Sequence, residues 1–493
     1  MTQLDQLQAK IRTYLSSLSP KAIEALVHNL ERAKAQADAD PHIELVLNSA
    51  LAILRKPSTH PLDSEGNEHR RGQIQRMFFT SLDGFLIDEF LPNRQEGRIH
   101  RGMLNKVWKW LGRDIMPTDV QLVLEQAGNA AVSGERVDGL VQALRTRSAD
   151  AIGEALRRGE IDEREHRRMG IELGGERGIS ELRDIHKVFS SERWLMPFLE
   201  AMPDRINERR LKQDHDVLRM VDKCSERFPD HLPLVAAALV DRADKPSALC
   251  AFAGRLAGDD DPKVIAGSQF APFVDVVMSE AERLNILAVD HRNNNPDPVA
   301  FSNALSDYNS LVRGIERDVD LTVTGKWHSR LADTKRSISD VVTRELHNAH
   351  TAVRRALQVP KLDDDGKLIL DQTAINDAVR AVRVVNMVRH GSETFAVNDI
   401  SKRTRQTVEQ TLEIVTRSLI TDLGKAKSPQ LEAHQAAADV AIMLSEIYFG
   451  AEYAGQLRRS RHAALAKAKT RAGDEAAAAS PERRLINKAL KRA

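Results

Sequence analysis

The sequence predicts an all-α protein, and three observations support this fold class. Hydrophobic residues make up 42% of the 493 residues, which is enough to bury a core, whereas aromatic residues make up only 4%. Strands favour aromatic and β-branched residues, and we find no convincing run of alternating strand pattern. Between Pro298 and Pro360, apolar residues recur every three or four positions, which is helical spacing. We therefore expect a multidomain helical protein with an elongated C-terminal helical bundle or coiled-coil-like region.

Changes in composition along the chain predict its domain organisation. Ser19 and Pro20 are typical of a helix start within an N-terminal hairpin, and a polar stretch with two prolines follows as a linker. The predicted units are a helical hairpin over 1–55, a linker over 56–72, an aromatic-rich helical domain over 73–205, a helical domain over 206–295, a long-helix bundle over 296–471 and a basic tail over 472–493.

Charge and cysteine content restrict the kinds of protein that this chain can be. The 72 basic and 71 acidic residues give a net charge of +1, so the average surface offers no field for nucleic acid or anionic lipid. Cys224 and Cys250 are too few for a disulfide framework and are predicted to be reduced core residues. Because we find no apolar run long enough to span a bilayer and no secretory signal, we expect no transmembrane segment and a cytoplasmic protein.

Aromatic and basic residues are interleaved between Phe78 and Arg113. Basic side chains beside aromatic rings can bind nucleic acid through phosphate contacts and base stacking. The alternative is that the rings fill a core while the cations lie on the solvated face of a helix. We favour the core, since aromatic residues at helical spacing are usually buried. The aromatic residues are Phe78, Phe79, Phe85, Phe90, Trp108 and Trp110, and the cations are Arg98, His100, Arg101, Lys106, Lys109 and Arg113.

The stretch from Gly170 to Gly178 is rich in glycine, and Ser180 after it could cap a helix. Its glycine spacing matches no phosphate-binding loop, and it follows a helical pattern rather than a strand. We predict a connection between two helices. His347 and His350 lack the further ligands of a metal-binding bundle, and the acidic stretch 363–366 lacks the end ligands of a calcium loop. We therefore predict no metal site and no cofactor.

Residues 387–398, MVRHGSETFAVN, resemble the nucleophile motif of the histidine phosphatase family. In that family the histidine is phosphorylated and the arginine holds the phosphoryl group. The resemblance therefore implies these roles for His390 and Arg389. The family's motif ends a strand and needs a second histidine downstream, whereas here a helical pattern precedes the motif and follows it. We predict instead that Arg389, His390 and Gly391 end a helix.

Glycines interrupt the long helical stretch before Pro360. Gly314 and Gly325 each weaken a helix by about 1 kcal/mol relative to alanine, so the stretch could be one helix or two. The sequence leaves this choice open. The apolar spacing also drifts between three and four without a strict heptad, which favours a packed bundle over a coiled coil.

Positive charge is concentrated at the C-terminal end of the chain. We expect a tether at 473–480, followed by a short basic amphipathic helix that begins at Ser480 and Pro481. Such a helix could dock on an acidic protein groove, on nucleic acid or on a membrane surface. The residues that we predict to bind a partner are Arg483, Arg484, Leu485, Ile486, Lys488, Leu490, Lys491 and Arg492.

These observations predict a non-enzymatic scaffold or adaptor that acts through protein–protein interaction, and no residue is assigned a catalytic role. We expect a protein partner, which could include a second copy of the chain. One alternative is a nucleic-acid-associated protein that uses the basic tail. Another is an enzyme whose site has no recognisable motif. The process and the partner's identity are not encoded in any pattern that we find.

Overall fold

The computed structural model of the chain describes residues 64–128, 134–294, 297–321, 325–363, 367–389, 391, 394–427 and 429–479. The chain divides into two compact units, Met1–Ile74 and Gln75–Ala493. Of the first unit, only the start of one helix is described, so the predicted hairpin over 1–55 lies outside the described residues. The helix that joins the units begins at Ser64, inside the predicted linker. All other described elements belong to the second unit.

Helices dominate the first half of the described chain, and the loops between them are short. The elements are α1 (Ser64–Phe79), a 3-10 helix (Thr80–Phe85), β1 (Leu86–Ile87), β2 (Ile99–His100), α2 (Gly102–Trp110), a π-helical turn (Leu111–Ile115), α3 (Pro117–Gly128), α4 (Gly134–Ile161), α5 (Glu163–Leu173), α6 (Glu176–Glu200), α7 (Glu208–Lys212), α8 (Asp216–Arg227), a second 3-10 helix (Pro229–His231) and α9 (Leu232–Arg242).

The second half has the same character and adds one β-hairpin. Its elements are α10 (Ala248–Ala257), α11 (Pro262–Gly267), α12 (Ala271–Asn293), α13 (Pro298–Asp318), α14 (Lys326–Ala356), β3 (Lys361–Leu362), β4 (Leu368–Ile369), α15 (Gln372–Val388), α16 (Asn398–Leu423), α17 (Leu431–Phe449) and α18 (Ala451–Ala479). β1 pairs parallel with β2, and β3 pairs antiparallel with β4. The all-α fold class is confirmed. Among the described helices, none is long and apolar enough to cross a membrane.

The aromatic residues near the start of the second unit form a core. The Phe78 ring lies 5.2 Å from Trp108 and 5.3 Å from Phe189, so helices α1, α2 and α6 meet through their rings. Phe79 and Phe85 are also buried. The core interpretation of this stretch is confirmed for these residues, because burying the rings removes a large apolar area from water. Phe90 is the exception, and its exposed ring carries the Arg177 guanidinium at 3.8 Å.

Residues 88–98, between β1 and β2, form an irregular segment, named the connecting segment, that joins three helices through ion pairs and hydrogen bonds. Arg94 pairs with Asp184 of α6, and Arg98 pairs with Asp241 of α9 at 2.8 Å. Asn93 donates a 2.8 Å hydrogen bond to the buried Glu282 of α12. A non-repeating backbone cannot satisfy its polar groups as a helix does, so these side-chain bonds hold the segment in one conformation.

Gly97 lets the connecting segment lie directly against α9. It has φ +82°, and an added Cβ would lie 2.3 Å from the carbonyl oxygen of Pro233. Its N–H donates a 2.9 Å hydrogen bond to Asp184 Oδ2. Only glycine combines this backbone angle with this approach, so position 97 is sterically restricted.

The buried carboxyl group of Asp184 gives stability a specific pH dependence. Burial raises its pKa to about 6, although Arg94 and the Gly97 N–H act in the opposite direction. In the unfolded chain the pKa is about 3.9. The folded protein thus binds the Asp184 proton more tightly than the unfolded chain does. The resulting contribution to the free energy of unfolding is complete below about pH 4 and is lost as the pH rises through about 6.

Asp184→Asn is therefore expected to remove this dependence. Between about pH 4 and 6, we expect the wild type to lose about 1.4 kcal/mol of unfolding free energy per pH unit relative to the variant, with no further relative change above about pH 7. Urea denaturation of both proteins across this range measures the difference. A difference that does not vary with pH would contradict the assignment to Asp184.

Helices α12 to α15 form a four-helix bundle in which α12 packs on α13 and α14, and α15 packs on the same two helices. Trp327, near the start of α14, donates a hydrogen bond to Asp275, near the start of α12. Closer to the ends of the same two helices, Arg292 of α12 donates a hydrogen bond to Glu345 of α14. α12 and α14 therefore run parallel. Glu345 also accepts a hydrogen bond from Arg380 of α15, so one buried carboxylate joins three helices.

The helical stretch between the two prolines is two helices. α13 ends at Asp318 and α14 begins at Lys326, directly after Gly325. Gly314, the other interrupting glycine, lies inside α13 and does not break it. An added Cβ at Gly314 would lie 2.1 Å from Ser247 Oγ, so this glycine serves a close contact between α13 and the start of α10.

Helices α16, α17 and α18 pack on one another. Ile420 and Leu423 of α16 pack with Ala438 and Ile442 of α17 and with Leu457 of α18 in one apolar cluster. The backbone of α18 is helical as far as Ala479, so the stretch that we predicted as a tether continues this helix. The domain boundaries predicted within the second unit stay predictions.

Candidate interaction surface

A β-hairpin connects α14 and α15, and no pattern in the sequence indicated it. Lys361 pairs with Ile369, and Leu362 pairs with Leu368. The Asp363 N–H donates a 2.9 Å hydrogen bond to the carbonyl oxygen of Lys367, which closes the turn. Of the acidic stretch 363–366, Asp363 directly follows β3, and residues 364–366 lie outside the part of the chain that the structure describes.

The hairpin exposes apolar side chains. Ile369 is 57% exposed and Leu370 is 45% exposed, and Val359 is also exposed on the other side of the hairpin. Most large apolar side chains elsewhere in the described chain are buried in the helical core. Exposed aliphatic residues that lie close together are costly in water and are typical of surfaces that a partner covers.

The backbone of β4 is open for pairing on its outer side. Asp363 and Lys367 form a hydrogen-bonded pair, so by the antiparallel alternation Leu362 and Leu368 point their N–H and C=O groups away from each other. On β3 this edge is interrupted by Pro360, which has no N–H to donate. The N–H group of Leu368 in β4 faces outward, and by the same alternation so does that of Leu370, which directly follows β4. Residues 367–371 are named the open edge.

Charged residues lie at both ends of the open edge. Lys367 precedes β4 and is exposed, and Asp371 follows it and begins α15. The Asp371 carboxylate accepts a hydrogen bond from the Ala374 N–H at 2.9 Å and pairs with Arg355 at 2.6 Å. The backbone bond and then Arg355 lower the pKa of Asp371, so its carboxylate stays ionised and shares its charge with Arg355. The edge is therefore apolar in its middle, with an exposed ammonium group at one end and a carboxylate that is paired with Arg355 at the other.

The tail residues predicted to bind a partner lie outside the described residues. They are Arg483, Arg484, Leu485, Ile486, Lys488, Leu490, Lys491 and Arg492. Their role stays a prediction, as does the nucleic-acid hypothesis that rests on them.

The cations of the aromatic-rich stretch are mostly engaged within the protein. Arg98 is buried against Asp241, and Arg101 pairs with Asp88. Arg113 pairs with Asp114 and Glu172. These guanidinium groups are therefore neutralised by carboxylates, which leaves little of the basic surface that nucleic acid would require.

The predicted connection over Gly170–Gly178 is shorter in the structure, because Gly174 and Gly175 link α5 to α6 while Gly170 lies in α5 and Gly178 lies in α6. Gly174 ends α5 with φ +94°, a left-handed C-cap, and Lys106 donates to the carbonyl oxygen of Leu173 there. The predicted cap at Ser180 is wrong, because α6 already begins at Glu176. Gly175 provides the turn, so the helix starts one turn earlier than the serine indicates.

The Arg-His-Gly motif ends a helix, as predicted, but for a different reason. α15 ends at Val388, and Arg389 follows as its C-cap. Gly391 does not have a positive φ. An added Cβ there would instead lie 2.8 Å from Asn309 Oδ1, so the glycine permits a close approach to α13. His390 lies outside the described residues.

The metal-ligating and thiol side chains in the described part of the chain do not gather into a metal site. No group of three or more potential metal ligands is found among the described residues. His347 contacts the Thr343 carbonyl oxygen of its own helix at 2.9 Å. Cys224 and Cys250 are buried free thiols, as predicted, and burial raises the pKa of Cys224 to about 11. Neither thiol has the lowered pKa of an activated nucleophile.

The hairpin surface becomes visible in the folded structure, whereas no sequence pattern indicated it. The hairpin lies between α14 and α15 along the chain, and Ile369 and Leu370 are exposed rather than buried in the core. No protein-family model, no curated protein and no solved structure matches this chain. The hairpin surface is therefore the basis on which a function can be proposed.

Proposed function

We propose that this protein is a non-enzymatic adaptor that acts through protein–protein interaction, and that the open edge of the β-hairpin is a binding surface. The observation that supports the proposal is the combination at residues 368–370 of outward-facing backbone groups and exposed aliphatic side chains. Each feature alone is common on protein surfaces. Together they match the way in which an extended segment adds to a sheet.

The energetics favour a protein ligand over a small molecule. Backbone N–H and C=O groups of an edge strand recognise another peptide backbone, and side chains on alternate positions supply selectivity. Covering the exposed aliphatic groups of Ile369 and Leu370 contributes roughly 25 cal/mol per Å² of buried apolar area. An extended strand can satisfy the backbone groups of the edge in sequence, which a compact ligand cannot do.

A photo-cross-linking amino acid in place of Ile369 tests the proposal. When the full-length protein is irradiated in cell extract, we expect a protein adduct at this position. The matched control carries the same amino acid in place of Ile414, an isoleucine on α16 that is 68% exposed but lies on a helix without an open edge. Equal adduct yields at the two positions, or none at position 369, would count against an interaction surface at the hairpin.

A further inference from the structure

We infer that the partner of the open edge is a second copy of this chain, and that two hairpins pair through β4 as one four-stranded antiparallel sheet. This inference rests on the proposed function and names its partner. A two-fold axis through the edge pairs each residue with a residue of the same segment, because an interface of this symmetry is isologous. The hairpin's own hydrogen bonds then determine which residues pair.

The backbone alternation determines the register. Leu368 and Leu370 point their backbone groups outward, whereas Ile369 points its groups toward β3. An antiparallel pair in which Leu368 lies opposite the partner's Leu370 brings outward groups face to face, and each such pair exchanges N–H···O=C bonds. Ile369 then lies opposite the partner's Ile369 at a non-hydrogen-bonded position, where side chains on facing strands are closest.

The carbonyl oxygen of Leu370 has to serve two donors in this arrangement. It accepts a 3.0 Å hydrogen bond from the Gln372 N–H, at the point where the chain turns into α15. A carbonyl oxygen has two lone pairs, so one acceptor site is left for the N–H of the partner's Leu368. The bond within the chain is therefore compatible with pairing, and it helps to hold the end of the open edge in place.

The same register matches the charges at the ends of the edge. With Ile369 on the two-fold axis, Lys367 lies opposite the partner's Asp371, and the symmetry repeats this pair at the other end. Both residues are accessible, since Lys367 is exposed and the Asp371 side chain keeps half of its surface despite its bond to Arg355. A strand of unrelated sequence would match this charge order only by coincidence, and for this reason the second copy is the better occupant.

β4 is a better pairing strand than β3. Pro360 precedes β3 and removes a backbone donor from its edge, and Lys361 adds an exposed charge. A proline and a charged residue at an edge are both common means of preventing strand pairing. β4 has neither a proline nor an inward charge between Lys367 and Asp371. The paired edge is short, so the interface lies at the small end of protein interfaces, and the dimer depends on concentration.

Sedimentation of the full-length chain over a range of concentrations tests the inference. We expect the wild type to change from monomer to dimer as the concentration rises. Ile369→Lys places two like charges at the closest position and is expected to weaken the dimer at least tenfold. Ile414→Lys makes the same change on α16 and is expected to leave the dimer unaffected.

A charge series separates the register from a general loss of apolar surface. Lys367→Glu places a carboxylate opposite the partner's Asp371 and is expected to weaken the dimer. Adding Asp371→Asn to this variant removes the repulsion, while asparagine still caps α15, so part of the affinity is expected to return. Absence of any recovery would overturn the register.

Sedimentation and cross-linking together have three informative outcomes, the first of which separates the inference from the proposed function. A chain that stays monomeric at every concentration, while the cross-linker at position 369 captures a different protein, overturns the second copy and leaves the proposed interaction surface standing. A monomeric chain with no adduct at position 369 overturns both. A cross-linked adduct of twice the chain's mass, lost in Lys367→Glu, supports both.

Discussion

Replacing Gly97 with alanine is expected to lower the free energy of unfolding by about 3 kcal/mol or more. The new Cβ would lie 2.3 Å from the carbonyl oxygen of Pro233, which is a backbone atom and cannot rotate away. The positive φ adds backbone strain of about 1 kcal/mol or more, and overpacking of this kind costs about 1–3 kcal/mol. Relief of the clash would move the connecting segment off α9 and pull the Gly97 N–H from Asp184. The midpoint of urea denaturation measures the loss.

Gly139→Ala is the matched control for Gly97→Ala. Gly139 lies inside α4 and has no atom within 4 Å of an added Cβ. The same substitution is therefore expected to stabilise the protein there by about 0.5–1 kcal/mol, because alanine has the higher helix propensity. If both variants shifted the midpoint in the same direction, the steric explanation for Gly97 would be wrong.

Removing the carboxylate of Glu345 is the second change with a large expected effect. The Glu345 side chain is 4% exposed and accepts hydrogen bonds from Arg292 at 2.7 Å and from Arg380 at 3.1 Å. Glu345→Ala leaves two largely buried guanidinium groups without their shared partner, which costs about 3–5 kcal/mol. Because α12, α14 and α15 meet at this residue, the loss is expected as an earlier unfolding transition of the four-helix bundle.

Two further variants test whether the charge of Glu345 and its burial cause the loss of stability. Glu345→Gln keeps the shape and one oxygen acceptor, so its loss of stability is expected to be smaller than that of Glu345→Ala. Asp333→Ala removes a carboxylate from the same helix, but Asp333 is 68% exposed and pairs only with an exposed arginine. That surface change is expected to stay within about 0.5 kcal/mol. A comparable loss at both positions would show that burial is not the cause.

The fold class could be predicted because helical periodicity is a local property. Spacing of apolar residues depends on neighbours within a few positions, and it indicated the helical stretch between Pro298 and Pro360. Gly314 and Gly391 show the limit of this reasoning. Both are glycines because another segment approaches them, Ser247 in one case and Asn309 in the other, and a contact between distant segments leaves no local pattern.

The candidate surface could not be predicted for a related reason. β3 and β4 each contain two residues, which is too short for an alternating pattern to be visible. The exposure of Ile369 and Leu370 depends on how α14 and α15 position the hairpin, and the sequence reads there as a turn before a helix. The pairs of the connecting segment were equally hidden, since Arg98 and Asp241 are 143 residues apart.

The connecting segment also sets an order in which the protein can be completed during synthesis. Glu89 bonds to Arg283, which follows it by 194 residues, and Asn93 bonds to Glu282. Helices α2 to α6 can form as they leave the ribosome, and Arg94 then has its partner Asp184 in α6, but Glu89 and Asn93 have no partners until α12 has been made. Closing so long a loop is slow relative to forming local helices. The nascent chain therefore carries a charged segment that lacks its α12 partners until late in translation, and chaperones would bind it in that state.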